Sequence, residues 1–346
     1  MDSNFRYSAI HLIEFAKVVL EQTGLDEEKS RIVGEILVEA DLMGHTTHGL
    51  QLLPSYVKEL EDGNMLKTGE PASIRDAGAA ITWNGNYLPG PWLVYKAIDL
   101  ALERITEHPV VTIVIQRSHH IACLAAYLER VTNRGYIILL SCSDPKNKTV
   151  APFGGKTGVY SPNPMAAGIP GSVLPILMDV SLSTTANAYV KRAYDENKKL
   201  PHQWLLDKEG NVTDDPVKFY GDEPATILPL GGQDSGHKGF ALGILVEALT
   251  NALGGYGRAE EPERWTASVF IQIINPGAFS GSGAFVAETD YLSKKCLDSG
   301  DEVRLPGQRA LSLKKQQLTH GLTLYPTVIQ GLKELSQKFD VTLTHL

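Results

Sequence analysis

Two short histidine-containing segments carry the side chains best suited to chemistry in this sequence. Residues 44–49 read GHTTHG and place two imidazoles three residues apart among hydroxyls and glycines. Residues 118–120 read SHH and follow the strand-like run 110–115. Imidazole is the side chain that takes or gives a proton near neutral pH. The pattern predicts proton transfer by His120, because α/β proteins tend to place ligand-facing groups just beyond a strand's carboxyl end.

A metal site is an alternative interpretation of the same histidines. His45 and His48 have the H-x-x-H spacing that can share one helix face, and His119 or His120 could complete the ligand set. No cysteine lies close enough in sequence to His45 and His48 to be a further metal ligand, and Asp41 is the one carboxylate that does lie close enough. We therefore predict no metal, and we retain a metal-dependent hydrolase built on His45, His48 and His120 as a rival of a different class.

Composition limits the classes of protein that fit. The chain has 346 residues with 43% hydrophobic residues, enough for one large domain or two to three closely packed ones. Its formal net charge of -8 argues against a nucleic-acid partner. Three cysteines without paired spacing favour a reducing compartment. No secretory leader and no apolar run of about 20 residues is visible, so we expect a cytoplasmic protein without a membrane span.

Hydrophobic periodicity divides the chain into helical ends and an alternating centre. Residues 1–75 contain three predicted helices, the third from Thr47 to Leu60. Residues 309–346 again show the hydrophobic periodicity of helices. We expect these ends to pack together. Between them, residues 76–308 alternate strands and helices, which predicts an α/β domain. Its predicted helices include 121–134 and 240–253. Residues 195–229 are predicted to form an excursion, a long connecting segment with little regular secondary structure.

Several short sequence motifs resemble those of one enzyme family. They are GHTTHGLQLLPSYV at 44–57, SHH at 118–120, VAPFGG at 150–155, NP at 163–164, MD at 178–179, LPLGG at 228–232, GHKGFAL at 236–242, NP at 275–276 and LPG at 305–307. In this order, over about residues 8–330, they resemble the malate/L-lactate dehydrogenase family, the sulfolactate dehydrogenase-like oxidoreductases. The resemblance implies a three-layer α/β/α fold around a mixed, non-Rossmann sheet, and a homodimer. It also explains why no G-x-G-x-x-G loop lies between a strand and a helix.

The resemblance implies a cofactor, NAD or NADP with NAD favoured, and a set of residues that bind it. That set is His48, Ala122, Cys123, Leu124, Asp179, Val180, Ser181, Leu182, Ser183, His237, Lys238, Asn275, Gly307 and Gln308. Lys238 lies between two glycines at the start of a predicted apolar helix, a setting that favours an anionic group such as a pyrophosphate. The catalytic pair implied is His120, as acid or base, with His48.

The substrate side of the resemblance is incomplete. Many relatives have an arginine where Leu52 stands, and it is expected to pair with a substrate carboxylate. Thr47 and His48 are retained as substrate contacts, and Lys146, Lys148 and Arg258 are candidates to replace the arginine. The sequence thus predicts an oxidoreductase that interconverts a 2-hydroxy acid and a 2-oxo acid. A cyclic imine or ketimine reductase and a catalytically inactive binding member remain alternatives.

Overall fold

A seven-stranded mixed sheet forms the centre of the computed structural model, which describes residues 6–345. The strands of the chain are β1 (Ala72–Asp76), β2 (Ala80–Asn84), β3 (Val110–Ser118), β4 (Ile137–Ser143), β5 (Met165–Ile169), β6 (Ile176–Val180), β7 (Leu205–Leu206), β8 (Val212–Thr213), β9 (Thr226–Ile227) and β10 (Ala267–Ile274). The order in the large sheet is β1-β2-β3-β10-β4-β5-β6. Strands β2 and β3 pair in parallel, and the other neighbours pair antiparallel. The predicted α/β class with a mixed, non-Rossmann sheet is confirmed.

Helices cover this sheet and form the two ends of the chain. They are α1 (Ala9–Gln22), α2 (Glu27–Leu42), α3 (Leu53–Glu61), α4 (Gly90–Arg104), α5 (Leu128–Thr132), α6 (Asn187–Asp195), α7 (Gly232–Glu247), α8 (Ser282–Leu297), α9 (Gln308–His320) and α10 (Pro326–Phe339). Helix α4 packs on β3 and β10, and α5 packs on β4 and β5. In the described residues, no helix is long and apolar enough to cross a membrane.

The helical ends of the chain contact each other. Helix α10 packs on α1 and α3, and α9 packs on α2. Lys314 of α9 joins Glu39 of α2 and Glu129 of α5 through ion pairs of 2.5 and 2.6 Å. The Asp26 carboxylate caps α2 by accepting the backbone N–H of Lys29. Residues 1–5 and 346 of the two predicted helical segments lie outside the described residues.

Two predicted helices begin later than the hydrophobic pattern suggests. The third helix starts with a 3-10 turn at Leu50–Leu52 and continues as α3, so Pro54 lies in the first turn, where its ring causes no kink. The helix predicted over 121–134 is reduced to the 3-10 turn Leu124–Tyr127 and α5. Ala122 has a φ of 59°, which a right-handed helix cannot contain. Residues 44–49 and 119–123 are therefore irregular segments.

The region from 195 to 253 also differs from its predicted course. Strands β7, β8 and β9 form a small three-stranded sheet inside the excursion predicted to have little regular structure. Its buried residues, with Val150 and Tyr160, make a second hydrophobic cluster. Helix α7 begins at Gly232 and not near residue 240. Lys238 consequently lies in the second turn of α7, so the expectation that it stands at a helix start is wrong.

Candidate active site

The two histidine segments meet at one cavity of about 460 Å³. Strand ends β3, β4, β6 and β10, the 44–52 segment and the start of α6 surround it. The residues lining it are His45, Thr47, His48, Leu52, His120, Ala122, Cys123, Leu124, Cys142, Asp144, Asn147, Ser161, Pro162, Pro164, Asp179, Ser181, Ala186, Asn187, Ala188, Trp265, Thr266 and Ala267. A cavity of this size, with apolar walls and a few converging polar groups, is typical of a site for a small molecule.

The imidazoles of His48 and His120 face each other across this cavity. Their ring centroids lie 5.9 Å apart at an interplanar angle of 24°. The Thr47 hydroxyl lies 2.9 Å from Nδ1 of His48. The indole of Trp265 lies 4.7 Å from the His120 ring, centroid to centroid. The spacing of the two imidazoles leaves room for a flat reacting group beside them.

Contacts at Nδ1 determine which nitrogen of His120 is left for chemistry. The backbone N–H of Ala122 donates to Nδ1 at 3.3 Å, so Nδ1 carries the lone pair in the neutral ring. The Tyr56 hydroxyl, 2.8 Å away, then also donates to Nδ1. The ring proton of the neutral form therefore lies on Nε2. Once the ring is protonated, Tyr56 can instead accept from Nδ1–H and donate to the His120 carbonyl at 3.2 Å.

Replacing Tyr56 by phenylalanine should release this control of the tautomer. We expect ¹⁵N NMR of histidine-labelled protein to show the Nε2–H tautomer of His120 in the wild type and a mixture of tautomers in Tyr56→Phe. One hydrogen bond is worth about 1 kcal/mol, so kcat should fall roughly fivefold. An unchanged tautomer in the variant would show that Ala122 alone fixes the ring.

Burial keeps all three neighbouring imidazoles neutral. It lowers the pKa of His48, opposed by the Asp179 carboxylate. It holds the pKa of His120 well below its usual range, reinforced by the nearby His48 and His119. It also lowers the pKa of His119, opposed by Glu59, whose Oε2 lies 3.2 Å from Nε2 of His119. His119 is completely buried, so it can support the position of His120 but cannot contact a ligand in the cavity.

A buried carboxylate holds the segment that carries His48. Oδ2 of Asp41 accepts the backbone N–H of Leu50 at 2.7 Å, and Oδ1 is buried with no hydrogen-bond partner. Gly49 makes this possible, because a Cβ there would lie 2.4 Å from the carboxylate. On the other side of the segment, Arg192 donates to the Gln51 side chain at 2.7 Å. Burial raises the pKa of Asp41 from 3.8 to about 7, partly offset by Arg192.

This raised pKa predicts a pH dependence of stability that Asp41→Asn should remove. Between pH 4 and 7 the folded protein holds a proton on Asp41 that the unfolded chain has lost, so stability falls as pH rises through this window. A shift of about three units corresponds to roughly 4 kcal/mol. Unfolding of both proteins at several pH values tests this. The stability of Asp41→Asn relative to wild type should rise from pH 5 to pH 8, and a constant difference would contradict the assignment.

Asp179 anchors one wall of the cavity. Its Oδ2 accepts the Ala125 N–H at 2.9 Å and lies 3.6 Å from the Cys123 thiol. The hydroxyls of Ser181 and Ser183, just beyond β6, are 2.6 Å apart. Of the residues expected to bind cofactor, the structure brings six to the cavity: His48, Ala122, Cys123, Leu124, Asp179 and Ser181. Val180 is exposed beside them, and Leu182 and Ser183 are buried behind the wall.

The other expected cofactor residues lie outside this cavity. His237 and Lys238 are exposed on α7. The Asn275 side chain accepts the Gly277 N–H at 2.9 Å and so stabilises the turn after β10. Gly307 precedes α9 and Gln308 is its first residue, with the Gln308 side chain accepting the Leu305 N–H at 3.0 Å. The Leu177 N–H donates to the Pro306 carbonyl, which places this helix start beside β6.

The cations expected to bind substrate also lie outside the cavity. Arg258 is held by Glu247 at 2.8 Å and donates to the Asn147 carbonyl at 2.6 Å and to the Ser143 hydroxyl at 3.0 Å. Its donors are thus engaged in positioning the 143–147 segment. Lys146 and Lys148 are exposed. The cavity lining contains Asp144 and Asp179 but no lysine or arginine.

Sequence reasoning missed Trp265 and the start of α6. Trp265 stands just before β10, distant in sequence from both histidine segments. Ala186 is the N-cap residue of α6, Asn187 and Ala188 begin its first turn, and no side chain caps the helix. Their backbone N–H groups have no acceptor within the helix. Neither feature belongs to a recognisable motif, although the apolar start of α6 without a capping residue is visible in the sequence.

The residues present fit a nicotinamide nucleotide. The cavity offers a space beside the imidazoles of His48 and His120, with a carboxylate and serine hydroxyls at one edge. The start of α9 lies beside β6 and offers backbone N–H groups and a helix dipole, which suit a pyrophosphate. Asp179, Ser181 and the 122–124 segment would hold the nicotinamide end there.

Comparison with known proteins identifies the family. The sequence profile of the family described as malate/L-lactate dehydrogenase matches residues 7–333. The chain belongs to this family. It is 29% identical over 334 residues to the malate/(S)-sulfolactate dehydrogenase of Methanothermus fervidus, covering 94% of this chain and 96% of that one. As a member of the malate/L-lactate dehydrogenase family it is an oxidoreductase, so the hydrolase interpretation is not supported.

Solved structures show the same fold. Malate dehydrogenase from Entamoeba histolytica superposes with a TM-score of 0.90 at 24% identity, covering 98% of this chain and 99% of that one. Delta1-piperideine-2-carboxylate reductase from Pseudomonas syringae gives 0.84 at 24% identity, covering 95% and 99%. At these identities the likeness shows the fold alone.

Proposed function

We propose that this protein is an NAD(P)-dependent enzyme that interconverts a 2-hydroxy acid and a 2-oxo acid, with His120 as the acid or base. The observation that carries the proposal is the setting of His120. Its Nδ1 is occupied by Ala122 and Tyr56, which leaves Nε2 as the nitrogen for a ligand beside His48. The bound nicotinamide supplies or takes the hydride. The protein must then supply or take one proton at the carbonyl oxygen, which is the role of an imidazole.

His120 suits both directions of this reaction through Tyr56. In oxidation, Nε2 takes the proton of the substrate hydroxyl once the ring's own proton has moved to Nδ1, where the Tyr56 oxygen accepts it. The resulting imidazolium is stabilised when Tyr56 turns to accept from Nδ1–H, with its own proton moving to the His120 carbonyl. His48 lies next to His120 in the cavity lining, where it can donate a hydrogen bond to the same oxygen or to the carboxylate.

The first turn of α6 is the group we propose to bind the substrate carboxylate. Relatives are expected to use an arginine at the position of Leu52, which here forms an apolar wall. Ala186, Asn187 and Ala188 line the same cavity, and no side chain caps the start of α6. A helix N-terminus binds carboxylates through its backbone N–H groups and its dipole.

A substrate screen tests the proposal. NADH and NADPH oxidation should be measured with 2-oxo acids, their methyl esters and cyclic imine carboxylates. We expect turnover of at least one 2-oxo acid, with its ester at least about tenfold poorer because a charge-assisted contact is lost. The screen also decides our preference for NAD over NADP. Binding of NADH without turnover of any compound would support the inactive binding member instead.

A cyclic imine reductase is the second candidate, and the charge of the cavity favours it. Asp144 and Asp179 line the cavity without any lysine or arginine. Reduction of an imine proceeds through the protonated, cationic iminium, which two carboxylates stabilise. In the screen, turnover of imines without turnover of 2-oxo acids would select this candidate.

We also propose that the protein is a homodimer. Apolar side chains cover the outer face of α7, where Leu242, Ile244 and Leu245 are 40%, 50% and 45% exposed. Helix α8 has no buried residue along its length. Contiguous exposed apolar side chains often mark a protein–protein interface. A dimer would also explain the exposed His237 and Lys238, if they bind cofactor at a subunit interface. The three free cysteines fit our proposal of a cytoplasmic location.

Substitution of Leu245 by arginine should disrupt the dimer. A charge in an apolar interface is strongly unfavourable. Light scattering should show a dimer for the wild type and a monomer for Leu245→Arg, whose NADH affinity should also fall. Ile10→Arg, at an exposed apolar position of α1, is the matched control and should remain dimeric. A wild-type monomer at micromolar concentration would contradict the proposal.

A further inference from the structure

Three potential metal ligands converge on one wall of the active-site cavity. The side-chain ligand atoms of His45, Cys123 and Asp179 lie within 4.8 Å of one another. They come from three distant parts of the chain. His45 lies in the 44–49 segment, Cys123 in the segment after β3, and Asp179 near the end of β6. This group differs from the histidine set considered from the sequence, because His48 and His120 are not members.

The donor set determines which ion fits. Thiolate, imidazole and carboxylate are together the ligands of Zn²⁺, whereas Mg²⁺ and Ca²⁺ prefer oxygen alone. Zinc takes four ligands in a tetrahedron, and sites with three protein ligands leave one position open to solvent or a bound molecule. Here the open position would face the cavity, since all three residues line it.

Contacts around His45, Cys123 and Asp179 also favour the binding of a cation. The Ala125 N–H holds Oδ2 of Asp179 at 2.9 Å, which fixes the carboxylate as a neighbouring hydrogen bond does in many metal sites. The Cys123 thiol already points at this carboxylate, 3.6 Å away. Asp144 adds a second carboxylate to the cavity, and the lining contains no lysine or arginine to repel an ion.

We propose that His45, Cys123 and Asp179 form a zinc site that inhibits the enzyme. Binding breaks the S–H bond of Cys123 and forms a sulfur–zinc bond, with the proton released to solvent and no change of oxidation state. The bound ion occupies the space beside Asp179 in which we place the nicotinamide. Zinc and NAD(P)H then exclude each other.

Cobalt is the probe, because a thiolate bound to Co²⁺ gives a charge-transfer absorption band that a thiol cannot give. Co²⁺ should be titrated into the full-length protein without nucleotide or substrate, and Zn²⁺ should then displace it. We expect the band in the wild type. In Cys123→Ser the band should disappear and Zn²⁺ affinity should fall at least tenfold, since even indirect partners of metal ligands are worth 10–100-fold. His45→Gln should weaken binding similarly.

Cys142→Ser is the matched control, because Cys142 lines the cavity but is not a member of the group. It should keep both the band and the affinity. A wild type without the band, a band that persists in Cys123→Ser, or a band lost in Cys142→Ser would overturn the proposal. Circular dichroism of each variant checks folding. Since the measurement needs no turnover, failure of the proposed dehydrogenase activity leaves its outcome unaffected.

Discussion

Replacing His120 by alanine should lower kcat by about 10²-fold or more, with little change in NADH binding. The reason is that the lost proton transfer belongs to the transition state and not to cofactor binding. Steady-state rates and NADH fluorescence titration measure the two effects separately. His48→Ala should differ by raising KM as well, because His48 contacts the substrate or the nicotinamide.

The pH dependence of the two directions should reflect the lowered pKa of His120. Burial favours the neutral ring, which is the base needed for oxidation. Oxidation should therefore stay level through neutral pH and fall only in acid. Reduction needs the imidazolium, so its rate should rise as pH falls toward the lowered pKa. His120→Ala should lose both dependences. Near-native turnover of this variant would leave His48 or a water molecule as the proton source.

The residues to which we assign the chemistry could be found from the sequence, whereas the contacts that control them could not. His48, His120 and Asp179 stand out by residue type and by their positions at the ends of elements. Tyr56 fixes the tautomer of His120 across 64 residues of chain, a pairing that no local pattern encodes. The place of β10 in the sheet is equally hard to predict from the sequence, because β10 comes last among the strands yet pairs between β3 and β4.

Two local sequence patterns have outcomes that tertiary structure explains. Alanine is a strong helix former, so the sequence around Ala122 reads as helix, yet packing of the chain after β3 holds it at positive φ. Similarly, the apolar texture of 240–253 correctly indicates a helix, but its outer face is exposed in the single chain. We attribute its apolar character to the proposed partner subunit, which periodicity cannot reveal.

Gly90→Ala should impair the enzyme severely, although Gly90 lies in no motif. Helix α4 begins at Gly90, where its backbone packs against the segment that carries His120. A Cβ at this position would lie 2.3 Å from the carbonyl oxygens of both His119 and His120. Real atoms do not approach so closely, so the backbone of 119–120 must move. Overpacking of this kind typically costs 1–3 kcal/mol of stability.

The displacement should cost more in catalysis than in folding. The His120 carbonyl is also the acceptor for Tyr56, so a shift there disturbs the tautomer control together with the position of the ring. A misplacement of about 1 Å can lower a rate by about 10²-fold. We expect Gly90→Ala to lose kcat to that extent while melting only a few degrees lower. Gly283→Ala in α8, where a Cβ meets no atom within 4 Å, is the control and should behave as wild type. If Gly90→Ala retains full kcat, the rigid placement of His120 by α4 is not what sets the rate.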